Sequence, residues 1–414
     1  MSDLKLYYEE QLIGLLHEGD NHEIEFTYES SWLVDPKHFS ISASLPLSDH
    51  TYKQEAHRFF SNLLPEGDIR SDIARNLGIS VDNDFRLLQA LGGECAGALT
   101  VAELPQPLES RYIPLEKQDL KESFLSKETL LSVLQGEEQD VRLSLAGAQD
   151  KLPVYFKNGD LFLPQGNSPS SHILKPPSHQ FKYLPENECL MGMYAEAMGL
   201  QVASSQLIDI NGISFFLIDR YDRKLRDNQL TRLHQEDFCQ ALSYSYKVKY
   251  QKDGGPSFNQ CFEKVENRSF LLPEDSERML KWLIFNLVIG NCDAHAKNIS
   301  FIMREPDVWA LAPHYDLVCT KAYPRLSKNL AMGVSGSFDS GTITGTHWRK
   351  LAQDVGVKEA WLLATVREMA DGAMNKYEQT ELSFKERYGD SPILSDIKKN
   401  ILIQCRRLLL ELRR

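Results

Sequence analysis

The stretch Gly290-Asn-Cys-Asp293-Ala-His-Ala-Lys-Asn298 decides how the fold of this chain is interpreted. It follows an apolar segment, residues 274–289, which predicts a helix that is buried on every side. Asp293 and Asn298 stand five residues apart in a predicted loop. That is the spacing of a kinase catalytic loop, in which the Asp accepts the proton of the substrate hydroxyl and the Asn binds Mg²⁺. The stretch therefore predicts a phosphotransfer site.

A second segment, Leu311-Ala-Pro-His-Tyr-Asp316-Leu, follows a predicted strand at 299–303. Asp316 is the candidate for a second metal ligand, because Mg²⁺ accepts a few protein oxygens completed by phosphates and water. Either segment alone could be an ordinary capping loop, whereas the two together favour metal and phosphate binding. His295 and His314 raise the alternative of a metal hydrolase. The chain has no HxH or HExxH spacing there, and a metal hydrolase of this kind would have no role for Asn298. These histidines are therefore expected to orient the loops.

Phosphate-binding groups are expected earlier in the chain. Lys175 ends the predicted strand 172–175, where a kinase keeps its phosphate-binding lysine, although lysines at strand ends are usually only solvated. Glu188, on a predicted helix over 187–198, is a candidate partner for Lys175. The segment Ser144–Lys151 contains the turn Ala146-Gly-Ala-Gln and could cover a triphosphate with backbone N–H groups. Any turn between two strands can have this appearance.

The adenine contact is expected at Asp219-Arg-Tyr221, which follows a predicted hairpin over 206–219 with the turn Asn211-Gly212. A plain strand end is an equal alternative for these residues.

The order of the predicted elements indicates an α+β chain in which an α/β module is followed by a small strand-rich lobe and then by a helical lobe. We predict an N-terminal α/β module over 1–105, a small nucleotide-loop lobe over 106–222 and a mostly α-helical C-terminal lobe over 223–414. Helices of the last lobe are predicted at 236–244, 274–289, 347–354, 358–374 and 395–412. The glycine-rich stretch 333–345 is expected to be a mobile loop.

The composition limits the location and the partners of the chain. A net charge of −12 over 414 residues disfavours tight DNA binding by the chain alone. The seven cysteines form no CxxC pair, which suits a reducing cytosol. The longest apolar run, 282–290, is too short for a membrane span, and the first residues lack the pattern of a signal peptide. A cytoplasmic protein with no membrane contact is therefore expected.

Eight motifs together give the chain a specific resemblance over nearly its whole length. They are Phe59-Phe-Ser-Asn-Leu-Leu-Pro-Glu-Gly67, Ser144-Leu-Ala-Gly-Ala-Gln-Asp-Lys151, His172-Ile-Leu-Lys175, Asp219-Arg-Tyr-Asp-Arg223, Gln235-Glu-Asp-Phe-Cys-Gln240, Asp293-Ala-His-Ala-Lys-Asn298, Pro313-His-Tyr-Asp316 and Leu330-Ala-Met-Gly333. The chain resembles the HipA family, the kinase toxins of bacterial type II toxin–antitoxin pairs.

The resemblance implies a serine/threonine protein kinase with an N-terminal module fused to a two-lobed, protein-kinase-like fold. It also implies the use of ATP and Mg²⁺, with Asp293 as catalytic base and Asn298 and Asp316 as metal ligands. The cofactor-binding residues that it implies are Ala146, Gly147, Ala148, Gln149, Asp150, Lys151, Lys175, Asp219, Arg220, Tyr221, His295, Asn298, Tyr315 and Asp316. Ser144 falls where the family carries an autophosphorylated serine that silences the kinase, since a phosphate dianion there would repel ATP. Asp219 departs from some relatives, which have Glu, and this puts contacts near adenine in doubt.

The resemblance also implies partners and a substrate class. The substrates of the family are translation components, notably aminoacyl-tRNA synthetases. The usual partner is a helix-turn-helix antitoxin of the HipB type, through which DNA contact would chiefly occur, in agreement with the acidic charge of the chain. Two other classes stay open at this point: a small-molecule phosphotransferase of the aminoglycoside or choline kinase type, and a non-catalytic corepressor.

Overall fold

The computed structural model describes residues 3–102, 111–126, 130, 146–147, 149–227, 229–268 and 274–412. Ser144 and Ala148, which the predicted phosphate-binding segment includes, lie outside the described residues.

The strands and helices follow one another in a mixed order. The strands are β1 (Leu4–Tyr8), β2 (Gln11–Glu18), β3 (Ile24–Tyr28), β4 (Leu99–Ala102), β5 (Arg111–Pro114), β6 (Leu152–Lys157), β7 (Asp160–Gln165), β8 (His172–Lys175), β9 (Ser205–Ile210), β10 (Ile213–Asp219), β11 (Arg223–Arg226), β12 (Gln229–Arg232), β13 (Gln235–Asp237), β14 (Ser300–Glu305), β15 (Val308–Leu311), β16 (Asn329–Val334) and β17 (Ser337–Asp339). The helices are α1 (Ser30–Leu33), α2 (Gln54–Ser61), α3 (Gly67–Leu77), α4 (Asp84–Leu91), α5 (Lys117–Ser126), α6 (Leu184–Ala197), α7 (Phe238–Ala241), α8 (Phe258–Arg268), α9 (Glu274–Ile289), α10 (Gly345–Asp354), α11 (Glu359–Tyr388) and α12 (Ile393–Glu411).

The chain forms two compact units, and each unit is built from three separate segments. The first unit comprises Met1–Pro176, Ile208–Lys247 and Phe301–Trp309. The second comprises Pro177–Leu207, Val248–Ser300 and Ala310–Arg414. Mixed helix and sheet content confirms the predicted α+β class.

The first unit contains an antiparallel sheet of order β3-β2-β1-β4 near the N-terminus. Ile24, Phe26 and Tyr28 alternate along β3 and are all buried, so that one face of the strand packs into the core. Phe26 contacts Phe60 of α2, with ring centroids 5.7 Å apart. Burying each such side chain stabilises the fold by about 1.5–3 kcal/mol.

A second sheet of the first unit has the order β5-β7-β6-β8-β10-β9. In the pairing of β8 with β10, Lys175 lies opposite Phe216 and His172 lies opposite Asp219. The turn before β10 has φ of +53° at Asn211 and +86° at Gly212, as a two-residue hairpin turn requires. The predicted hairpin is confirmed.

The second unit is largely helical. Its helix α9 has the predicted bounds and buries eleven of its side chains, which confirms that it is a core helix. Helix α6 begins three residues before its predicted start because Pro185 suits the first turn. Helix α11 continues to Tyr388, far beyond the predicted end at 374, and contributes Tyr377 to the core.

Two local predictions are wrong. The helix predicted at 236–244 is replaced by strand β13 and the short helix α7, because Asp237 and Gln240 form a reciprocal capping box that starts the helix only at Phe238. The stretch 333–345 is not a loop throughout. It contains β17, which returns along β16 after a tight turn at Ser335 (φ +47°) and Gly336 (φ +85°), and it ends in α10.

Within the residues that the structure describes, no helix is long and apolar enough to cross a membrane.

Candidate active site

Helix α9 anchors the two segments that carry the predicted metal ligands. At its start, Asp275 accepts the backbone N–H of Leu311 at 2.6 Å, and Arg278 donates to the carbonyl oxygens of Leu311 and Ala312 at 2.9 and 3.0 Å. At its end, Gly290 adopts a left-handed φ of +69°, which ends the helix and turns the chain into the 290–298 loop.

The 290–298 loop is held by a chain of side-chain amides. Asn286 donates to the carbonyl of Trp282 at 2.8 Å and accepts from Asn291 at 2.8 Å. Asn291 in turn accepts the backbone N–H of Asp293 at 3.0 Å. Thr320 accepts from the Cys292 N–H at 2.7 Å and donates to the Gly290 carbonyl at 3.1 Å. The backbone at Asp293 is therefore fixed to the core helix, as a catalytic residue requires.

The carboxylate of Asp293 remains accessible although its backbone is fixed. Its side chain is 53% exposed. Tyr250 donates its hydroxyl to Oδ1 at 2.5 Å, and His295 Nε2 lies 3.9 Å from the same oxygen. Sequence reasoning missed Tyr250, because a single tyrosine in a loop carries no motif.

Asn298 is oriented by the same loop. Its Nδ2 donates to the Asp293 carbonyl at 2.9 Å, and its backbone N–H donates to the His295 carbonyl at 2.9 Å. Because the amino group of the amide is engaged with the backbone, the carbonyl oxygen Oδ1 points the other way. An amide oxygen is a suitable ligand for Mg²⁺.

Asp316 lies next to a tether that joins its segment to the end of the 290–298 loop. The Tyr315 hydroxyl donates to the Lys297 carbonyl at 2.9 Å and shares a hydrogen bond with Ser300 at 2.6 Å. Asp316 itself adopts φ of +54°, an uncommon conformation that Asp and Asn tolerate better than other residues. The second unit thus brings the segments of Asp293, Asn298 and Asp316 together. The hydroxyl of Tyr315 makes the hydrogen bonds that join them.

His314 has a structural role. Its ring is buried, and burial together with the nearby Arg278 lowers the pKa of the imidazole to about 3. Its backbone pairs with residues 201–203: the His314 N–H donates to the Gln201 carbonyl at 2.9 Å, and the His314 carbonyl accepts from Ala203 at 3.0 Å. A neutral, enclosed ring of this kind orients its segment by packing.

The first unit holds the predicted nucleotide contacts. Lys175 is buried at the end of β8, and its Nζ lies 5.6 Å from the centroid of the Phe216 ring. Asp219 pairs with His172 at 2.8 Å, and Tyr221 donates to Gln235 at 2.5 Å. Glu188, the candidate partner of Lys175, is a buried residue of α6 in the second unit, and that pairing stays a prediction.

The described part of the predicted nucleotide loop contacts Glu66 through Gly147. Gly147 has φ of +114°, a backbone conformation that residues with a Cβ rarely adopt, so this position favours glycine. Its carbonyl accepts the backbone N–H of Glu66 at 3.1 Å. Lys151 donates to the Ala146 carbonyl at 2.6 Å. The neighbouring Asp150 is half-buried and accepts from the Leu130 N–H at 3.0 Å, and desolvation raises the pKa of its carboxyl to about 6.

Asp150→Asn is expected to stabilise the protein at pH 8 by about 2 kcal/mol and to leave stability unchanged at pH 4. Because the folded-state pKa of about 6 exceeds the ordinary value of 3.8, stability falls as the pH rises from about 4 to 6 and stays lower above that. Asn resembles the protonated carboxyl and carries no charge, so the stability of the variant does not fall over this pH range. Thermal unfolding at both pH values measures the effect, and an equal shift at pH 4 and pH 8 would contradict it.

The side chain of Arg220 belongs to a buried ion network of the first unit. Arg220 donates to Glu94 at 3.1 Å and to Asp222 at 2.7 Å. Arg223 and Arg232 also donate to Glu94, at 2.7 and 2.5 Å. Burial by itself would raise the pKa of Glu94, but these three guanidinium groups hold it well below its usual range. A contact of Arg220 with a nucleotide, which stays a prediction, would therefore use its backbone.

Comparisons with known proteins agree with this architecture. The family models described as HipA N-terminal domain and HipA-like C-terminal domain match residues 4–102 and 143–377. A putative kinase, Y4mE of Sinorhizobium fredii, is 37% identical over 365 residues, which cover 86% of each chain. The serine/threonine-protein kinase toxin HipA of Shewanella oneidensis is 26% identical over 389 residues, covering 90% of this chain and 88% of that protein.

A solved structure is also similar over the full length. In the Shewanella oneidensis MR-1 complex of HipA, HipB and operator DNA, the matching chain gives a TM-score of 0.86 at 25% identity, covering 99% of this chain and 98% of that chain. The fold and the relatives thus define a kinase-like protein of the serine/threonine protein kinase class. The chain belongs to the HipA family of kinase toxins.

Proposed function

We propose that this kinase transfers the γ-phosphoryl group of Mg-ATP to a serine or threonine of a protein substrate, with Asp293 as the catalytic base. The arrangement of the 290–298 loop carries the proposal: the Asp293 carboxylate is accessible while its backbone is fixed to a buried helix. A positioned carboxylate can accept the proton of a hydroxyl as that hydroxyl attacks phosphorus.

Asn298 and Asp316 would hold Mg²⁺. The side-chain oxygen of Asn298, whose amide nitrogen is already engaged, and the carboxylate of Asp316, which follows the tethered Tyr315, would supply the sparse oxygen ligation that this ion prefers. The bound ion would neutralise charge on the phosphates of ATP. The assignments of Lys175 and of loop residues 146–151 to phosphate contacts, and of 219–221 to adenine, are parts of the same proposal.

Incubation of the purified protein with radiolabelled Mg-ATP and a bacterial lysate tests the activity. We expect label in a protein substrate of the translation machinery, such as an aminoacyl-tRNA synthetase, and in Ser144 as the autophosphorylated off-switch. Mass spectrometry of the labelled proteins locates both sites. Label confined to a small molecule would indicate the alternative phosphotransferase class.

Asp316→Asn is expected to raise the Mg²⁺ concentration for half-maximal rate by about tenfold or more, because a charged ligand is replaced by a neutral one. Asn tolerates the left-handed backbone of this position, so the substitution adds little strain. The rate is measured against Mg²⁺ concentration at fixed ATP. Asp307→Asn is the matched control, because Asp307 also has a left-handed φ (+57°) and lies in an exposed turn. An unchanged Mg²⁺ dependence in Asp316→Asn would remove it from the metal site.

We further propose that the partner is a helix-turn-helix antitoxin of the HipB type, through which the protein meets operator DNA. The support is the similar HipA chain, whose structure was solved with HipB and operator DNA, together with the net charge of −12, which suits a basic partner. Gel filtration of the chain with and without such an antitoxin tests this. A mixture that elutes as separate components contradicts it.

A further inference from the structure

The two carboxylate oxygens of Asp293 have different surroundings. Oδ1 accepts the hydroxyl of Tyr250 at 2.5 Å and lies on the side of His295, whose Nε2 is 3.9 Å away. Oδ2 accepts no hydrogen bond from any residue that the structure describes. Since the side chain is 53% exposed, Oδ2 is the oxygen left for an incoming group.

Tyr250 is held in place by a tight turn over residues 250–255. Its carbonyl accepts the backbone N–H groups of Asp253 at 3.0 Å and Gly255 at 2.9 Å. A Cβ at position 255 would lie 2.3 Å from the Val248 carbonyl oxygen, so the turn closes only with glycine there. The direction of the Tyr250 side chain is thus set by a turn that the sequence specifies.

The same turn is fastened to the β16–β17 hairpin. Gln251 Oε1 accepts the backbone N–H of Gly333 at 2.8 Å, and Lys252 Nζ lies 4.8 Å from the centroid of the Phe338 ring. The Tyr250 ring also meets the His295 ring edge-on, with centroids 5.3 Å apart. The turn therefore contacts the hairpin through Gln251 and Lys252, and it contacts the 290–298 loop through Tyr250.

We propose that Tyr250 is a positioning residue for the phosphotransfer reaction, which holds Oδ1 so that Oδ2 of Asp293 accepts the substrate proton. The inference rests on the proposed function. The serine or threonine hydroxyl gives its proton to Oδ2, and its oxygen forms a bond to the γ-phosphorus of ATP. The bond from that phosphorus to the β–γ bridging oxygen breaks, and ADP leaves with the electron pair. The proton on Oδ2 then passes to water.

The hydrogen bond from Tyr250 affects the rate because the carboxylate of Asp293 can otherwise rotate. The terminal torsion of Asp is broad, so without a fixed partner the group rotates and its acceptor oxygen loses alignment with the substrate hydroxyl. Small misalignments of a catalytic group cost large factors in rate.

Tyr250→Phe removes the hydroxyl and keeps the ring. We expect kcat to fall between about 10- and 100-fold, while the KM for ATP and the unfolding temperature stay unchanged. The measurement is the initial rate of labelled phosphate transfer to protein at a series of Mg-ATP concentrations. Tyr183→Phe is the matched control, because Tyr183 lies in the same unit and is 40% exposed; its kcat should equal that of the unmodified protein.

An unchanged kcat in Tyr250→Phe would overturn the proposal. An increased kcat would also overturn it, because the hydroxyl would then be a blocking group that competes with the substrate for Asp293. If Tyr250→Phe lowers the unfolding temperature, the rates are compared at a temperature at which both proteins remain folded. A kcat of Tyr250→Phe that then equals that of the unmodified protein overturns the proposal.

Two substitutions distinguish the positioning role of Tyr250 from the catalytic role of Asp293. If Asp293→Asn abolishes transfer and Tyr250→Phe has no effect, only the positioning role is lost. If Asp293→Asn retains full transfer, the catalytic base itself is wrongly assigned.

Discussion

Asp293→Asn is expected to lower kcat by about 10²–10⁴-fold, the range that a general base contributes. The substitution removes the basic carboxylate and preserves the shape of the side chain. It also keeps an oxygen that can accept the hydrogen bond from Tyr250. The folded structure should therefore persist, and the unfolding temperature should equal that of the unmodified protein. Steady-state rates of phosphate transfer and thermal unfolding of the same preparations measure both parts of the expectation.

Asp371→Asn is the matched control for this experiment. Asp371 is an exposed residue of α11 in the second unit, so its substitution should change neither rate nor stability. A rate retained in Asp293→Asn would refute the assignment of the base. ATP binding that is lost along with the rate would indicate a role in holding the nucleotide.

Glu94→Gln is expected to reduce the free energy of unfolding by about 3–5 kcal/mol, the cost of breaking a buried ion pair. Glu94 is almost completely buried and accepts from Arg220, Arg223 and Arg232. Ser170 also donates to it, through its hydroxyl at 2.8 Å. After the substitution three guanidinium groups surround a neutral amide. Denaturant unfolding measures the loss, and Glu23→Gln, at an exposed position of the same unit, is the control.

The pH dependence of this loss has a definite sign. The pKa of Glu94 lies below its ordinary value of 4.5 in the folded protein, so its stabilisation is complete above that value and is lost as the pH falls. The difference in stability between the unmodified protein and Glu94→Gln should therefore narrow as the pH is lowered from 7 towards 3. A difference that is independent of pH would show that the charge of Glu94 does not contribute.

Sequence patterns predicted the parts of the fold in which local preference and tertiary packing agree. Helix α9 has the predicted bounds because its apolar residues recur on every side up to Gly290, whose left-handed backbone ends it. The hairpin before Asp219 was predictable because Asn211-Gly212 suits the left-handed turn that joins its strands. Two predictions failed where a local contact decided the structure. At Asp237 a capping box makes the helix begin later than predicted. Between β16 and β17 a tight turn joins two strands, where the glycines had suggested a loop.

The candidate site was predictable only in part, for a related reason. Asp293, Asn298 and Asp316 are recognised by their spacing and by the elements around them. Tyr250 and Glu94 have no such local signature, because their partners lie 43 residues or more away in the chain. Contacts of this kind depend on the folded path of the chain, which a single sequence does not display.

The division of the chain into interleaved segments has a consequence for its synthesis on the ribosome. The first unit needs Phe301–Trp309 before it is complete, and by then two segments of the second unit have already emerged. The second unit in turn waits for its last segment, Ala310–Arg414. Neither unit can therefore form all of its contacts before residue 309 has emerged. Nascent chains released before residue 309 should lack both finished units, which would keep a truncated toxin inert.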